Sequence, residues 1–268
     1  MKRFTLVVGL VCSGLVVLAA LVSLLWTPYD PAKVDPSSRY APMGWPHVLG
    51  TNYLGMDTAS RLLVGAQTTL IVGVLAVAIA AIVGVPLGVF VGMGHRLVGE
   101  LLGRVSDIML AVPALLLAIL LAAARGASVA TATVAIGVST IPIFLRMARA
   151  ATLTVMSQDY ILAAEVSGTA RGAIAVRHVL PNIAPLLGVQ AASSFAMAIL
   201  AEAGLSYLGL SATATTPTWG RMLHDANLFA APAQAIIPGA AIVIAVMGFN
   251  LLGDGVRDYL DPRLREVR

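Results

Sequence analysis

Long apolar runs separated by short polar stretches set the pattern of this chain. Six runs fall near 5–26, 68–93, 106–124, 129–152, 183–204 and 234–253. Each approaches the roughly 20 residues that a helix needs to cross a bilayer. A helix is the natural choice there, because it satisfies its backbone groups internally. The pattern predicts an all-α, polytopic membrane protein with six transmembrane helices. Arg125–Ser128 is the only break between the third and fourth runs, so those two form a hairpin. Lys2 and Arg3 precede the first run. Its apolar stretch exceeds the roughly 7–15 residues of a signal-peptide core, so it reads as a retained anchor.

Composition fits this pattern. Charged residues make up 11% and hydrophobic residues 59% of the 268 residues, against about 25% charged in soluble domains. The basic pI near 9.6 does not suggest nucleic acid, because the cations are scattered rather than clustered with aromatics. Cys12 is the single cysteine, which excludes an internal disulfide and a cysteine zinc site. His47, His95, His178 and His224 stand isolated, without ligand spacing, and no metal site is expected.

Basic residues orient the helices. One set of polar ends carries 12 cations: Lys2, Arg3, Arg96, Arg104, Arg146, Arg149, Arg171, Arg177, Arg257, Arg263, Arg265 and Arg268. The other carries 5: Lys33, Arg39, Arg61, Arg125 and Arg221. The positive-inside bias then places both termini in the cytoplasm. The chain divides into an anchor helix (1–26), an external segment (27–67), a transmembrane core (68–256) and a cytoplasmic tail (257–268). A phosphate-binding loop of the G-x-x-x-x-G-K-[ST] type is absent from the sequence, so any ATP-driven work needs another chain to hold the nucleotide.

Within the second run Gly84, Gly88 and Gly92 share one face, where a neighbouring helix can approach closely. A moving interface and plain packing both fit, and packing is the simpler account. Pro86 in the same run should bend the helix or loosen its ladder. Asp107 and Glu202 stand at or near ends of runs. They read as interfacial or capping acids, with a functional role as the sharper alternative. A chain of intramembrane carboxylates, as an ion-coupled carrier would need, is not seen.

The stretch 157–182, SQDYILAAEVSGTARGAIAVRHVLPN, is too polar to span and too long for a turn. Ser157 or Asp159 can cap a first short helix that presents Tyr160, Ala163 and Ala164 on one side. Gly168 can end it. A second helix from about Ala170 to Val179 would offer Arg171, Arg177 and His178 to acidic groups, and Pro181 would stop it. The small residues suit close approach by another protein; an amphipathic helix on lipid headgroups is the competing account.

This loop resembles the EAA motif of permease subunits in bacterial binding-protein-dependent ABC importers. Ala163, Ala164, Gly168, Leu180 and Pro181 match it, while Leu162 replaces the usual leading Glu and Glu165 follows one turn later. LGTNYLGMDTASRLLVGAQTTL (49–70) is similar to the entry segment of the dipeptide, oligopeptide and nickel group, with Asn52 for the usual Asp and Met56 for the usual Arg. AEAGLSYLGL (201–210), PTWGRML (217–223) and FNLLGDGVRDYLDPR (249–263) resemble that group's closing segments. The likeness runs from about residue 48 to the C-terminus and is greatest to the second permease of dipeptide importers.

The resemblance implies a type I (MetI-like) architecture in the bacterial inner membrane and a non-catalytic subunit. It implies a heterodimer with a homologous permease and two ATPase chains that hold the ATP and Mg. An extracytoplasmic substrate-binding protein or lipoprotein completes the assembly. The loop residues Tyr160, Ala163, Ala164, Glu165, Gly168, Arg171, Arg177, His178 and Pro181 would couple to the ATPase. Substrate-contacting residues are not indicated, and a nickel or other small-solute permease of the same group stays open.

Overall fold

The computed structural model describes residues 2–94, 96–226 and 232–260. Of the proposed tail, 261–268 lie outside them, as does His95. The chain folds as α1 (Lys2–Leu25), α2 (Thr58–Gly92), α3 (Arg96–Ala111), α4 (Ala114–Arg125), α5 (Val129–Met156), α6 (Asp159–Val166), α7 (Arg171–Ile174), α8 (Leu180–Tyr207), α9 (Trp219–His224) and α10 (Ala233–Leu260). Among the described residues the only β pairing outside helices is a single bridge, Thr51 to Asp57.

Among the described residues five helices are long and apolar enough to cross a membrane, and the bent pair α3 and α4 passes the same test together, which makes six spans when the pair is taken as one. The sixth expected span, 106–124, is not one helix. α3 and α4 meet at a break and differ in direction by 82°. Pro113 explains it: the ring removes a backbone donor and drives the preceding residue out of helical geometry. The hairpin that follows is as expected, with Ser128 accepting from the Thr131 amide at 3.1 Å to start α5.

α2 begins ten residues before its apolar run because Asp57 caps it. The Asp57 carboxylate accepts from the Ser60 amide and hydroxyl, both at 2.7 Å. Pro86 does not interrupt α2, which stays helical across all 35 residues.

Small residues turn inward and large aliphatics outward. Ala66, Ala76, Ala80, Ala135 and Ala148 are buried, whereas Leu18, Leu75, Ile82, Leu120 and Met197 are exposed. In lipid, aliphatic surface gains nothing by hiding, and close backbone approach decides association. α2 and α5 show this most plainly. A Cβ on Gly84 would lie 2.7 Å from the Ile141 carbonyl oxygen, one on Gly88 2.4 Å from that of Leu145, and one on Gly92 2.6 Å from Thr152 Cβ. The three glycines therefore serve packing inside one bundle. α1 docks on α10 in the same way, with Gly9 against Leu252 and Gly255 against Leu6.

Candidate coupling loop and external segment

Beyond the end of α5, Ser157 closes that helix, its hydroxyl donating to the Thr154 carbonyl at 3.0 Å. It does not cap α6. Gln158 stands at the α6 cap position without a side-chain bond, and Asp159 occupies the first turn, where a negative charge suits the helix dipole. Ile161 anchors α6, buried in one core with Ile174, Val179, Ile183, Val89, Met93 and Ala148.

The rest of α6 stands clear of the bundle. Tyr160, Leu162, Ala163, Glu165 and Val166 are exposed, and Ala164 is half-buried. At Val166 the exposure reaches 82%. Gly168 turns the chain with φ +78° and open space around it. Its amide donates to the Glu165 carbonyl and that of Thr169 to the Ala164 carbonyl, both at 3.0 Å. A side chain at this φ would be strained. Arg171 and Arg177 are exposed, and His178 is half-buried with its ring 6.2 Å from that of Tyr160.

The second arm differs from expectation. α7 passes through a π-helical turn over Ala175–Val179 straight into α8. Pro181 does not stop it, because it occupies the first turn of α8, where its missing donor costs little. Arg171–Tyr207 is one 37-residue helical rod. The buried isoleucines that seat the loop escaped sequence reading, since their partners lie on α2 and α5.

At the other end of the bundle the 27–57 segment packs over the start of α2, where the Tyr29 amide donates to Ser60 Oγ at 2.9 Å, and meets α10 through Gln234, which donates to the Thr51 carbonyl. His47 is not isolated: Nδ1 lies 2.9 Å from Asp57 Oδ1, under the Tyr29 ring at 4.6 Å. His224 Nδ1 meets the Tyr207 carbonyl at 2.6 Å. Asn52 Oδ1 accepts from the amides of Leu54 and Met56 at 3.0 and 2.9 Å, a task that needs an acceptor and no charge. Arg61 is buried, donating from Nη1 to Met56 Sδ at 3.0 Å and from Nη2 to the Ala214 carbonyl at 3.3 Å. Arg221 Nε lies 3.0 Å from Asp225 Oδ1. Burial pushes the Asp225 carboxyl up, against the opposing pull of Arg221, Arg61 and His224. Trp219 Nε1 donates to the Leu62 carbonyl at 3.0 Å, and its ring covers Gly65.

Two acids near the run ends find partners. Glu202 is buried and accepts from Ser211 Oγ at 3.3 Å, so it does not cap α8. Asp107 pairs with Arg146 across α3 and α5. Arg146 lies within α5 rather than at its end. Among the described residues no group of three or more His, Cys, Asp or Glu could hold a metal ion.

Residues 84–266 match the family of binding-protein-dependent transport system inner membrane components. The chain belongs to this family. Similarity to relatives extends beyond that region. A dipeptide transport system permease protein of Alkalihalophilus pseudofirmus is 40% identical over 98% of this chain and 88% of its own length. The corresponding Escherichia coli K12 protein is 41% identical over 97% of this chain and 89% of its own length. A di/tripeptide transport system permease protein of Pseudomonas aeruginosa is 38% identical over 97% and 88%. As an inner membrane component of a transport system, this multi-pass chain has a structured segment at each end of its bundle: the loop that turns at Gly168 and the 27–57 segment.

Proposed function

We propose that this chain is one permease of an ATP-driven importer of dipeptides or short oligopeptides, forming half the translocation path. The near full-length identity of about 40% to dipeptide permeases carries the substrate class. The loop supplies the mechanism. It is seated on the bundle by Ile161 and Ile174, yet leaves Tyr160, Leu162, Val166 and Val176 uncovered beside Arg171 and Arg177. An apolar patch rimmed by cations suits docking into a groove of a separate ATPase. ATP and Mg bind there, and hydrolysis belongs to that partner. Closure of two ATPase chains would push α6, turn about Gly168 and move α8, alternating access between the two faces. A homologous permease completes the path, and an extracytoplasmic binding protein or lipoprotein delivers the peptide. Both termini and the loop face the cytoplasm, following the excess of cations on that side, which holds with Arg146 set aside.

The test is copurification from native membranes followed by reconstitution. A second permease, two ATPase chains and a binding protein should accompany this chain, and labelled dipeptide should enter proteoliposomes on ATP addition. Gly168→Pro or deletion of 160–170 should abolish both uptake and substrate-stimulated hydrolysis. Recovery of this chain alone, or uptake that survives those changes, defeats the reading.

A further inference from the structure

Buried polar atoms usually have a hydrogen-bond partner, and those that lack one need an explanation. Three such atoms lie together where α2, α9 and α10 meet. Arg61 Nε, Asp225 Oδ2 and Gln234 Oε1 are buried, and none of them bonds to a protein atom among the described residues. Arg61 is 1% and Gln234 8% exposed, and the Asp225 side chain is 3% exposed. Other bonds hold each residue in place. The two terminal nitrogens of Arg61 donate to Met56 Sδ and to the Pro31 and Ala214 carbonyls. Asp225 follows the last turn of α9 and pairs with Arg221 through its other oxygen. Gln234 donates from Nε2 to the Thr51 carbonyl, which fixes the amide and leaves Oε1 as an acceptor.

All three residues line one small cavity, whose other walls are Asn52, Thr58 and Met222. Its volume is about 10 Å³, near the least that admits one water and too little for an organic ligand. The chemistry of the walls selects the same occupant. They offer one donor, the Arg61 Nε–H, and two acceptors, Asp225 Oδ2 and Gln234 Oε1. An anion would face the carboxylate, and a metal ion or ammonium would face the guanidinium, each at close range in a poorly screened site. A water molecule has the matching set, because it can accept once and donate twice.

We infer that this cavity is a binding site for a single ordered water, which accepts from Arg61 Nε and donates to Asp225 Oδ2 and Gln234 Oε1. The inference does not depend on the transported substrate. Arg61 and Asp225 do not bond directly. The water turns them into a bridged ion pair, nearly as favourable in enthalpy as a direct bond. It joins three places distant in the chain: the first turn of α2, the end of α9 and the first turn of α10. Through the Gln234 bond to Thr51 the 27–57 segment is tied to the same point.

X-ray hydroxyl-radical footprinting tests this on the full chain, purified with whatever chains accompany it. Ordered water beside a buried side chain is a local source of radicals. Met222 is buried yet lines the cavity, so it should be oxidised readily. Phe144, buried where α5 packs on α2, should stay unmodified once rates are scaled to intrinsic reactivity. Gln234→Leu removes one acceptor, and Met222 oxidation should fall to the Phe144 level. Asp225→Asn keeps an acceptor oxygen and should leave Met222 reactive. A density map of the wild-type protein that shows ordered waters is the second readout and needs no variant to fold. It should hold one peak within hydrogen-bond distance of all three atoms. Protection of wild-type Met222 at the Phe144 level overturns the inference, as does oxidation unchanged in a folded Gln234→Leu variant. A map in which Arg61 Nε bonds Asp225 Oδ2 directly overturns it too.

Discussion

At Gly88 an added Cβ would sit 2.4 Å from the Leu145 carbonyl oxygen and 2.7 Å from Ala148 Cβ. Neither neighbour is the free end of a flexible side chain, so α2 and α5 would have to separate. Gly88→Leu should cost about 1–3 kcal/mol, the range for overpacking, read as a lower unfolding temperature of the purified assembly. Gly168→Ala is the contrasting case: space is open but φ is +78°, so the cost is local strain and the bundle should stay intact. Asp225 gives a pH dependence. Its folded carboxyl titrates above the ordinary 3.8 because of burial, so the folded chain binds that proton more readily than the unfolded one. Its contribution to stability should fall as pH rises from about 3.8 through its folded value. Thermal unfolding across that interval should show the decline, and Asp225→Asn should flatten it.

Among the elements, those governed by local pattern were legible in the sequence. The glycine spacing of α2, the Arg125–Ser128 hairpin and the turn at Gly168 follow from residues close in the chain. What escaped depends on distant partners. α2 extends back to Thr58 because its polar first turns are buried beneath the 27–57 segment, and no hydropathy window sees that cover. The 82° break appears in sequence only as one proline, like Pro86 and Pro142, which leave their helices continuous. Pro181 misled because a terminator and a first-turn proline look identical without the π turn before it. Asp57 holds the start of α2 and also pairs with His47. Asp57→Ala should therefore cost more than the roughly 1 kcal/mol of a lost cap, while His47→Ala should remove the pair and spare the cap. Unfolding midpoints of the two variants measure the difference.

At the scale of the whole molecule, large exposed aliphatic faces on α1, α3 and α4 mean that this chain meets lipid or other chains over much of its surface. Extracted alone into detergent it should aggregate more than when coexpressed with the second permease proposed above, as size-exclusion chromatography would show. The rod Arg171–Tyr207 has a further consequence. It is about 55 Å of unbroken helix, carrying the second arm of the loop at one end and the Ser206–Thr218 contact with α9 at the other. Movement entering at the loop end must pass the π turn at Ala175–Val179 and Pro185 before it reaches the α9 end, and both are places where helices bend. On the importer reading proposed above, labels at the two ends of the rod should therefore report two relaxations, merging into one when Pro185→Ala stiffens the helix.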